Sequence, residues 1–265
     1  MTGKMYESNY SGAPSEALRE IIRDLREDPG LLYHRYSMIP CKYSWPYEVS
    51  RYSRPELIKK IKGEKIDLGK PNPKLFRYSV WEAFLGRRSI RSFRRDPITL
   101  EELSTLLYYS MGVRSYMWGY PMRMYPSAGA LQPVEAYLFI ENVEGLSRGI
   151  YRYEADEHIL VKVREGSFRD YLYKHTLMQD HVRDAPLNIV LTILYPRTAS
   201  KYGFRSYRYA LLDTGHVGMA IYIISTALGL GTCAVGAYED EAIDRVLPLD
   251  ENEYSIIIYP VGRPR

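Results

Sequence analysis

A chain of 265 residues, 46% hydrophobic and 26% charged, has the make-up of a globular protein, with room for one core plus an appendage or for two small domains. Its formal charge of +4 is too mild for the concentrated basic face of a nucleic-acid binder. No apolar run of membrane-spanning length and no signal-peptide core stand out, and Cys41, Cys233 and five scattered histidines offer neither metal spacing nor a disulfide framework, so a cytoplasmic, metal-free protein acting away from membranes is expected.

The first residues read as a loose lead-in to a helix over Ser15–Asp28, capped by Ser15, with Leu18, Ile21, Ile22 and Leu25 on one face and Gly30 as its stop. From Leu31 to Pro73 the pattern is irregular, with at most a short helix at Pro55–Ile61, and suggests an arm laid over another surface. Tyrosine is heavily used, 26 residues against 6 phenylalanines, which suits core edges or a subunit interface where the ring is buried and the hydroxyl bonded. Tyr33, Tyr43, Tyr47 and Tyr52 of the arm fit such packing across a partner.

The amphipathic run Ser79–Leu85 leads into Arg87-Arg88-Ser89-Ile90-Arg91-Ser92-Phe93. Three guanidinium groups and two hydroxyls at this range suit a phosphate better than a carboxylate, because a phosphate offers several acceptor oxygens at once. A solvated basic loop is the plain alternative. Thr99-Leu100-Glu101-Glu102 is a capping box that opens a helix ending at Gly112. The loop Tyr125–Pro133 precedes the strand Val134–Ile140, apolar on both faces and therefore central to a covered sheet. Gly149–Tyr153 and His158–Val163 form a hairpin around Asp156, a helix spans Phe168–Met178, and Leu187–Tyr195 is a strand. The longest helical signal, Tyr207–Leu228, carries Gly215, Gly218 and Ala220, which leave room for a neighbouring helix, from this chain or a second one. Gly229–Ala237 turns the chain into a strand near Thr232–Val235, a helix at Glu239–Leu247 and the strand Tyr254–Val261. Mixed helices and strands in this order indicate an α+β sheet with helices packed on it.

Taken together, the motifs resemble those of the nitroreductase-like flavoproteins. Arg87–Phe93 resembles the family's Arg-x-Ser-x-Arg/Lys signature, Pro126-Ser127-Ala128-Gly129-Ala130 with Gln132-Pro133 its loop along the flavin, Gly229–Ala237 its C-terminal loop, and Val261-Gly262-Arg263 its final strand. A narrower resemblance is to the SagB-type dehydrogenases, which include azoline oxidases. It rests on Leu32–Ser37, the Pro-Ser-Ala-Gly-Ala form of the loop, Lys201–Tyr209 and Asp213–Gly218.

The resemblance implies a nitroreductase-like fold, a central mixed or antiparallel sheet flanked by helices, with an N-terminal helix and arm over residues 1–78 and an FMN-binding domain over 79–265. It implies FMN held by Arg87, Arg88, Ser89, Arg91, Pro126, Ser127, Ala128, Gly129, Ala130, Gln132, Ala234, Val235, Gly236 and Arg263; for Arg265 a phosphate contact and a loose tail end are both open. A homodimer with flavin at its interface and a small-molecule or peptide substrate is implied as well. In the SagB-type branch a Lys-Tyr pair serves catalysis, and Lys201 and Tyr202 stand in the matching place. A lysine kept neutral by nearby positive charge or burial takes a proton from carbon while hydride leaves to the flavin, and the tyrosine orients the substrate or relays the proton. Surface residues are the alternative for this pair; His216 reads as a hydrogen-bonded core histidine in preference to a catalytic one, and Cys233 as a packing residue in preference to a redox centre. The chain departs from the family at Gln132, where many SagB-type members carry Tyr, at Ala130, where general nitroreductases have Asn, and at Gly236-Ala237, where they have Glu-Gly. FMN binding through backbone groups tolerates these changes, whereas the substrate depends on them. An FMN-dependent oxidoreductase is the reading preferred; an azoline oxidase acting on a modified peptide and a non-catalytic flavin-holding protein are the alternatives.

Overall fold

A computed structural model describes residues 29–38, 52–53 and 55–265. The chain divides into two compact units, Met1–Pro46 and Tyr47–Arg265. In the first, helix α1 spans Pro29–Tyr36. Proline suits the first helical position because its fixed φ is preset and its missing N–H is not needed there. Gly30, expected as a helix stop, therefore sits in the first turn of a helix; the helix expected over residues 15–28 lies outside the described residues, as does Cys41.

In the second unit the elements run β1 (Lys65–Asp67), α2 (Val80–Gly86), α3 (Leu100–Met111), β2 (Val113–Met117), β3 (Tyr120–Arg123), β4 (Val134–Ile140), β5 (Gly149–Glu154), β6 (Ile159–Glu165), α4 (Arg169–His175), α5 (Asp180–Asp184), β7 (Leu187–Leu194), α6 (Tyr195–Tyr202), α7 (Ser206–Ala227), β8 (Gly231–Thr232), α8 (Asp240–Val246) and β9 (Glu253–Gly262). Among the described residues, seven strands form one sheet in the order β1-β6-β5-β4-β7-β9-β8, and every pairing in it is antiparallel. Strands β4 and β7 are buried along their whole length, as strands covered on both faces must be. Val134, Ala136 and Leu138 face a core shared with α3 and α7, while Tyr137 and Phe139 face a second core with Ile243 of α8 and Leu172 of α4. The fold is the expected α+β architecture, one antiparallel sheet with helices on both faces.

Local chemistry explains the helix starts. Ser79 with Glu82, and Thr99 with Glu102, each form a reciprocal capping box in which side chain and backbone satisfy each other's orphan donors. Residues 55–61 are not helical, in contrast to the expected short helix. Two of them have partners across the sheet that extended chain can reach: Lys59 is buried on Glu253 at 2.5 Å, and Lys60 bonds Glu154 at 2.9 Å. The helix expected over residues 168–178 closes at His175, a separate short helix α5 follows, and the hairpin β2–β3 and helix α6 have no counterpart in the periodicity. Run together, Tyr195–Ala227 is long and apolar enough to cross a membrane by composition, but half of its apolar window is buried inside the fold, where α7 serves as a core helix.

Candidate active site

The arginine stretch leaves α2 in extended form. Ile90 donates its N–H to Thr232 at 2.9 Å, Arg94 to Arg263 at 2.8 Å, and Arg265 to Ser92 at 3.2 Å, so the segment is anchored through its backbone. Gly231 is required at this seam, since a Cβ there would lie 2.7 Å from Ile90 Cγ1. Arg88, Ser89 and Arg91 are exposed, and among the described residues no carboxylate lies within ion-pair distance of Arg87, Arg88 or Arg91. The guanidinium of Arg87 sits 5.3 Å over the ring of Tyr222. The Tyr222 hydroxyl shares a hydrogen bond of 3.0 Å with Ser89 Oγ and accepts one of 2.8 Å from the Ala234 N–H. Tyr222, on α7, therefore ties the arginine stretch to the C-terminal loop. The sequence carried one signal for it: a tyrosine in an apolar helix needs a partner for its hydroxyl.

The Tyr125–Pro133 loop is held differently. Gly129 (φ 63°), Ala130 (φ 54°) and Gln132 (φ 50°) are all left-handed, a conformation that costs a residue with a Cβ about 1–2 kcal/mol. Buried side chains pin it. Ser127 donates to Asp213 Oδ2 at 2.6 Å, its Oγ accepts from the Gln132 N–H at 3.0 Å, and the Ala128 N–H lies 3.3 Å from the same carboxylate. Burial pushes the Asp213 carboxyl up, opposed by the bonds from Ser127 and Ala128. On the other side of the loop, fully buried Arg197 of α6 donates to the Gln132 carbonyl at 2.7 Å and pairs with Glu135 of β4. Glu135 also meets Arg152 at 2.7 Å and Arg123 at 3.6 Å. Burial alone would raise its carboxyl, but the guanidiniums of Arg152, Arg197 and Arg123 outweigh that and hold it down at about 2.

Helix α6 carries Lys201 and Tyr202 to this loop. A Cβ on Gly129 would lie 2.6 Å from Tyr202 Oη and 3.0 Å from Lys201 Nζ, so the glycine is where the pair and the loop meet. Lys201 is exposed, with Nζ 5.3 Å over the Tyr202 ring. His216, expected as a core histidine, is exposed; its Nδ1 lies 3.3 Å from the carbonyl of Pro126. An apolar cleft of about 330 Å³ opens beside it, lined by Phe84, Tyr125, Pro126, His216 and Met219.

The remaining sequence-derived residues divide by what their groups already bond. Ala234 and Gly236 are exposed, and a Cβ on Gly236 would meet nothing within 4 Å, which leaves open space at the C-terminal loop. Val235 is buried in the second core and exchanges both backbone hydrogen bonds with Ile258. The Gln132 amide is turned inward onto the Pro121 carbonyl at 3.1 Å, and Arg263 pairs with Glu102 at 2.8 Å. Cys233 is a buried packing residue. The donors that stay available (Arg87, Arg88, Ser89, Arg91, the exposed backbone around Gly129, and the space at Gly236) fit a phosphate-bearing, flat-ringed cofactor such as FMN.

The Nitroreductase family profile matches residues 85–263, which contain all of these residues. The chain is 34% identical to the nitroreductase-family protein MJ1384 of Methanocaldococcus jannaschii over 191 residues, covering 72% of this chain and 94% of that protein. It is 28% identical to the microcin B17-processing protein McbC of Escherichia coli over 142 residues, 51% of this chain and 52% of McbC. A nitroreductase-family crystal structure from Anabaena variabilis superposes with a TM-score of 0.69 at 25% identity, over 98% of this chain but 50% of that one. The chain thus spans about half the length of the last two.

Proposed function

The chain belongs to the nitroreductase family and is an oxidoreductase of that family; we propose that it binds FMN and transfers hydride between a substrate and the flavin. The observation that carries this reading is the Tyr222 bridge, which brings the Arg87–Arg91 donors and the open C-terminal loop to one place with, among the described residues, no carboxylate within ion-pair distance of the arginines. When bound, the flavin supplies the two-electron chemistry, and the protein positions, tunes and guards it. Arg87, Ser89 and Arg91 grip the phosphate and its sugar chain. The rigid left-handed loop presents main-chain groups near the ring. The test is the visible spectrum of the purified protein followed by heat release of the chromophore. Flavin bands with FMN released, weakened in Arg87→Ala/Arg91→Ala, are expected; no flavin even after incubation with FMN overturns the reading.

Similarity to the microcin-processing protein McbC and the contact of Lys201 and Tyr202 with Gly129 favour a narrower substrate, a thiazoline or oxazoline in a modified peptide. Its oxidation to the azole removes a hydride and a proton. Lys201 Nζ accepts the proton and Tyr202 Oη orients the ring. Lys201→Ala that retains FMN but loses azoline oxidation supports this role; unchanged azoline oxidation removes it. A homodimer is part of the same proposal. Trp81 and Leu85 of α2 are 75% and 88% exposed, and Leu212 and Met219 of α7 add to the apolar surface, an area a monomer would leave in water. Light scattering is expected to give a dimer for the wild type and a monomer with less flavin for Leu85→Glu; a monomeric wild type that retains flavin refutes the shared interface.

A further inference from the structure

At the end of β4 remote from the Tyr125–Pro133 loop, a polar cavity of about 350 Å³ is walled by five arginines: Arg94, Arg95, Arg148, Arg169 and Arg265. They arrive from four separate stretches of chain, so their convergence is a product of the fold. Two carboxylates share the wall, Glu141 and Asp184, and both are engaged. Glu141 accepts from the Ser167 hydroxyl at 2.8 Å and from the N–H groups of Phe168 and Arg169 at 2.9 and 3.1 Å, with Arg148 Nε 3.9 Å away. Asp184 is taken by Arg183 at 2.9 Å. Arg94 pairs with Asp96 at 3.2 Å and Arg265 donates from Nε to the Phe93 carbonyl at 2.8 Å. Among the described residues, no carboxylate lies within ion-pair distance of Arg95, Arg169 or Arg265. Arg169 Nε is shielded from solvent with no hydrogen-bond partner, a donor that a fold rarely buries without use.

With Glu141 and Asp184 satisfied and Arg94 taken by Asp96, the guanidiniums of Arg95, Arg169 and Arg265 leave a positive cavity that one carboxylate cannot neutralise. Guanidinium forks converging from several directions match the tetrahedral set of phosphate oxygens, whereas a carboxylate offers two oxygens in one plane. The volume lies within the range of small-molecule sites and exceeds what a single inorganic ion fills. We infer that this cavity binds a small phosphate-bearing anion, a diphosphate or a phosphate ester, at a site separate from the Arg87–Arg91 stretch. The inference does not depend on flavin binding or on the identity of the substrate.

The test is calorimetric titration of the purified full chain, with the chromophore it carries, using inorganic phosphate, pyrophosphate and ADP at physiological ionic strength. Saturable one-site binding of pyrophosphate is expected, weaker by about tenfold or more in Arg148→Ala/Arg169→Ala and unchanged in Arg87→Ala. Arg95→Ala, which removes a side chain with no ion pair of its own, gives an independent variant should the double one fold poorly. ADP binding as tightly as pyrophosphate, or more tightly, identifies a phosphate-ester site and supports the inference; inorganic phosphate binding as tightly as pyrophosphate marks a single-ion site and overturns it. No saturable heat, equal affinity in wild type and all cavity variants, loss of binding in Arg87→Ala alone, or tighter binding of an oligoglutamate peptide than of pyrophosphate would overturn it.

Discussion

Two segments that converge on the candidate site are built on opposite plans. The loop Tyr125–Pro133 is pinned from beneath by buried polar side chains: Asp213 takes Ser127, Arg197 holds the Gln132 carbonyl, and Glu135 gathers Arg123, Arg152 and Arg197. The stretch Arg87–Phe93 is held through its backbone, to Thr232 at one end and, through Arg94 and Ser92, to the last residues at the other, which leaves the side chains of Arg88, Ser89, Arg91 and Ser92 exposed. The contrast follows from what each must do. A segment in strained left-handed conformations needs outside support to stay in one shape. A segment that offers charged side chains to a ligand must leave those side chains unbonded within the protein.

The contrast is most sharply tested at Glu135. Glu135→Ala leaves buried guanidiniums without their shared carboxylate, and a loss of about 3–5 kcal/mol in urea unfolding is expected, against less than about 0.5 kcal/mol for Arg88→Ala. Equal effects would erase the distinction. Next is Gly129→Ala, which places a methyl group where Tyr202 Oη and Lys201 Nζ now approach and adds left-handed strain. Flavin content should hold while turnover falls about tenfold or more, the cost of misplaced reacting groups; unchanged turnover would separate the loop from the Lys201–Tyr202 pair. Tyr222→Phe removes the hydroxyl that joins Ser89 and Ala234. By flavin fluorescence titration FMN should bind about tenfold more weakly with little loss of fold stability, the scale of one or two hydrogen bonds. If stability falls instead, the bridge belongs to the framework and not to the ligand site.

A further effect concerns the packing of α3 against the β5–β6 hairpin. Burial pushes the His158 imidazole from 6.5 down to about 4, only partly opposed by Asp67, while its ring nitrogens bond Ser104 Oγ and Tyr153 Oη, each at 2.8 Å. A histidine depressed in the folded state binds protons more readily when unfolded. Its contribution is complete above pH 6.5 and is lost as pH falls from there to about 4. The same sign applies to Glu135, whose contribution fades from 4.5 down to about 2. Urea midpoints between pH 7 and pH 4 should therefore fall in the wild type and fall less in His158→Asn, since asparagine tolerates the left-handed φ of 54° at that position. Parallel pH profiles would remove His158 as the cause.

Much of the fold was legible because its signals are local. The Thr99–Glu102 capping box, the largely apolar strands β4 and β7, and the long periodic helix α7 each announce themselves within about one turn or one strand of sequence. The candidate site was legible as motifs: Arg87–Phe93, Pro126–Pro133 and Gly229–Ala237. What escaped was every role decided by distant partners. Lys59 and Lys60 sit in a stretch with some helical character, yet they lie outside any helix, bonded to Glu253 and Glu154. Gln132 and Arg263 carry side chains suited to a ligand, yet Pro121 and Glu102 have them.

By itself the sequence determined the bounds of α3, α7 and α8 to within a residue or so, the two buried strands, the α+β class and the donor-rich motifs, because capping, periodicity and residue chemistry act over a few neighbouring residues. Only the tertiary structure decided which of those donors stay free. It set Gly129 against Lys201 and Tyr202, hung the loop on Asp213 and Arg197, joined Ser89 to Ala234 through Tyr222, and drew five arginines from four stretches into one cavity. A hydrogen bond or an ion pair depends on distance in space, and residues 60 to 170 positions apart acquire that distance only when the sheet and its two helical layers close.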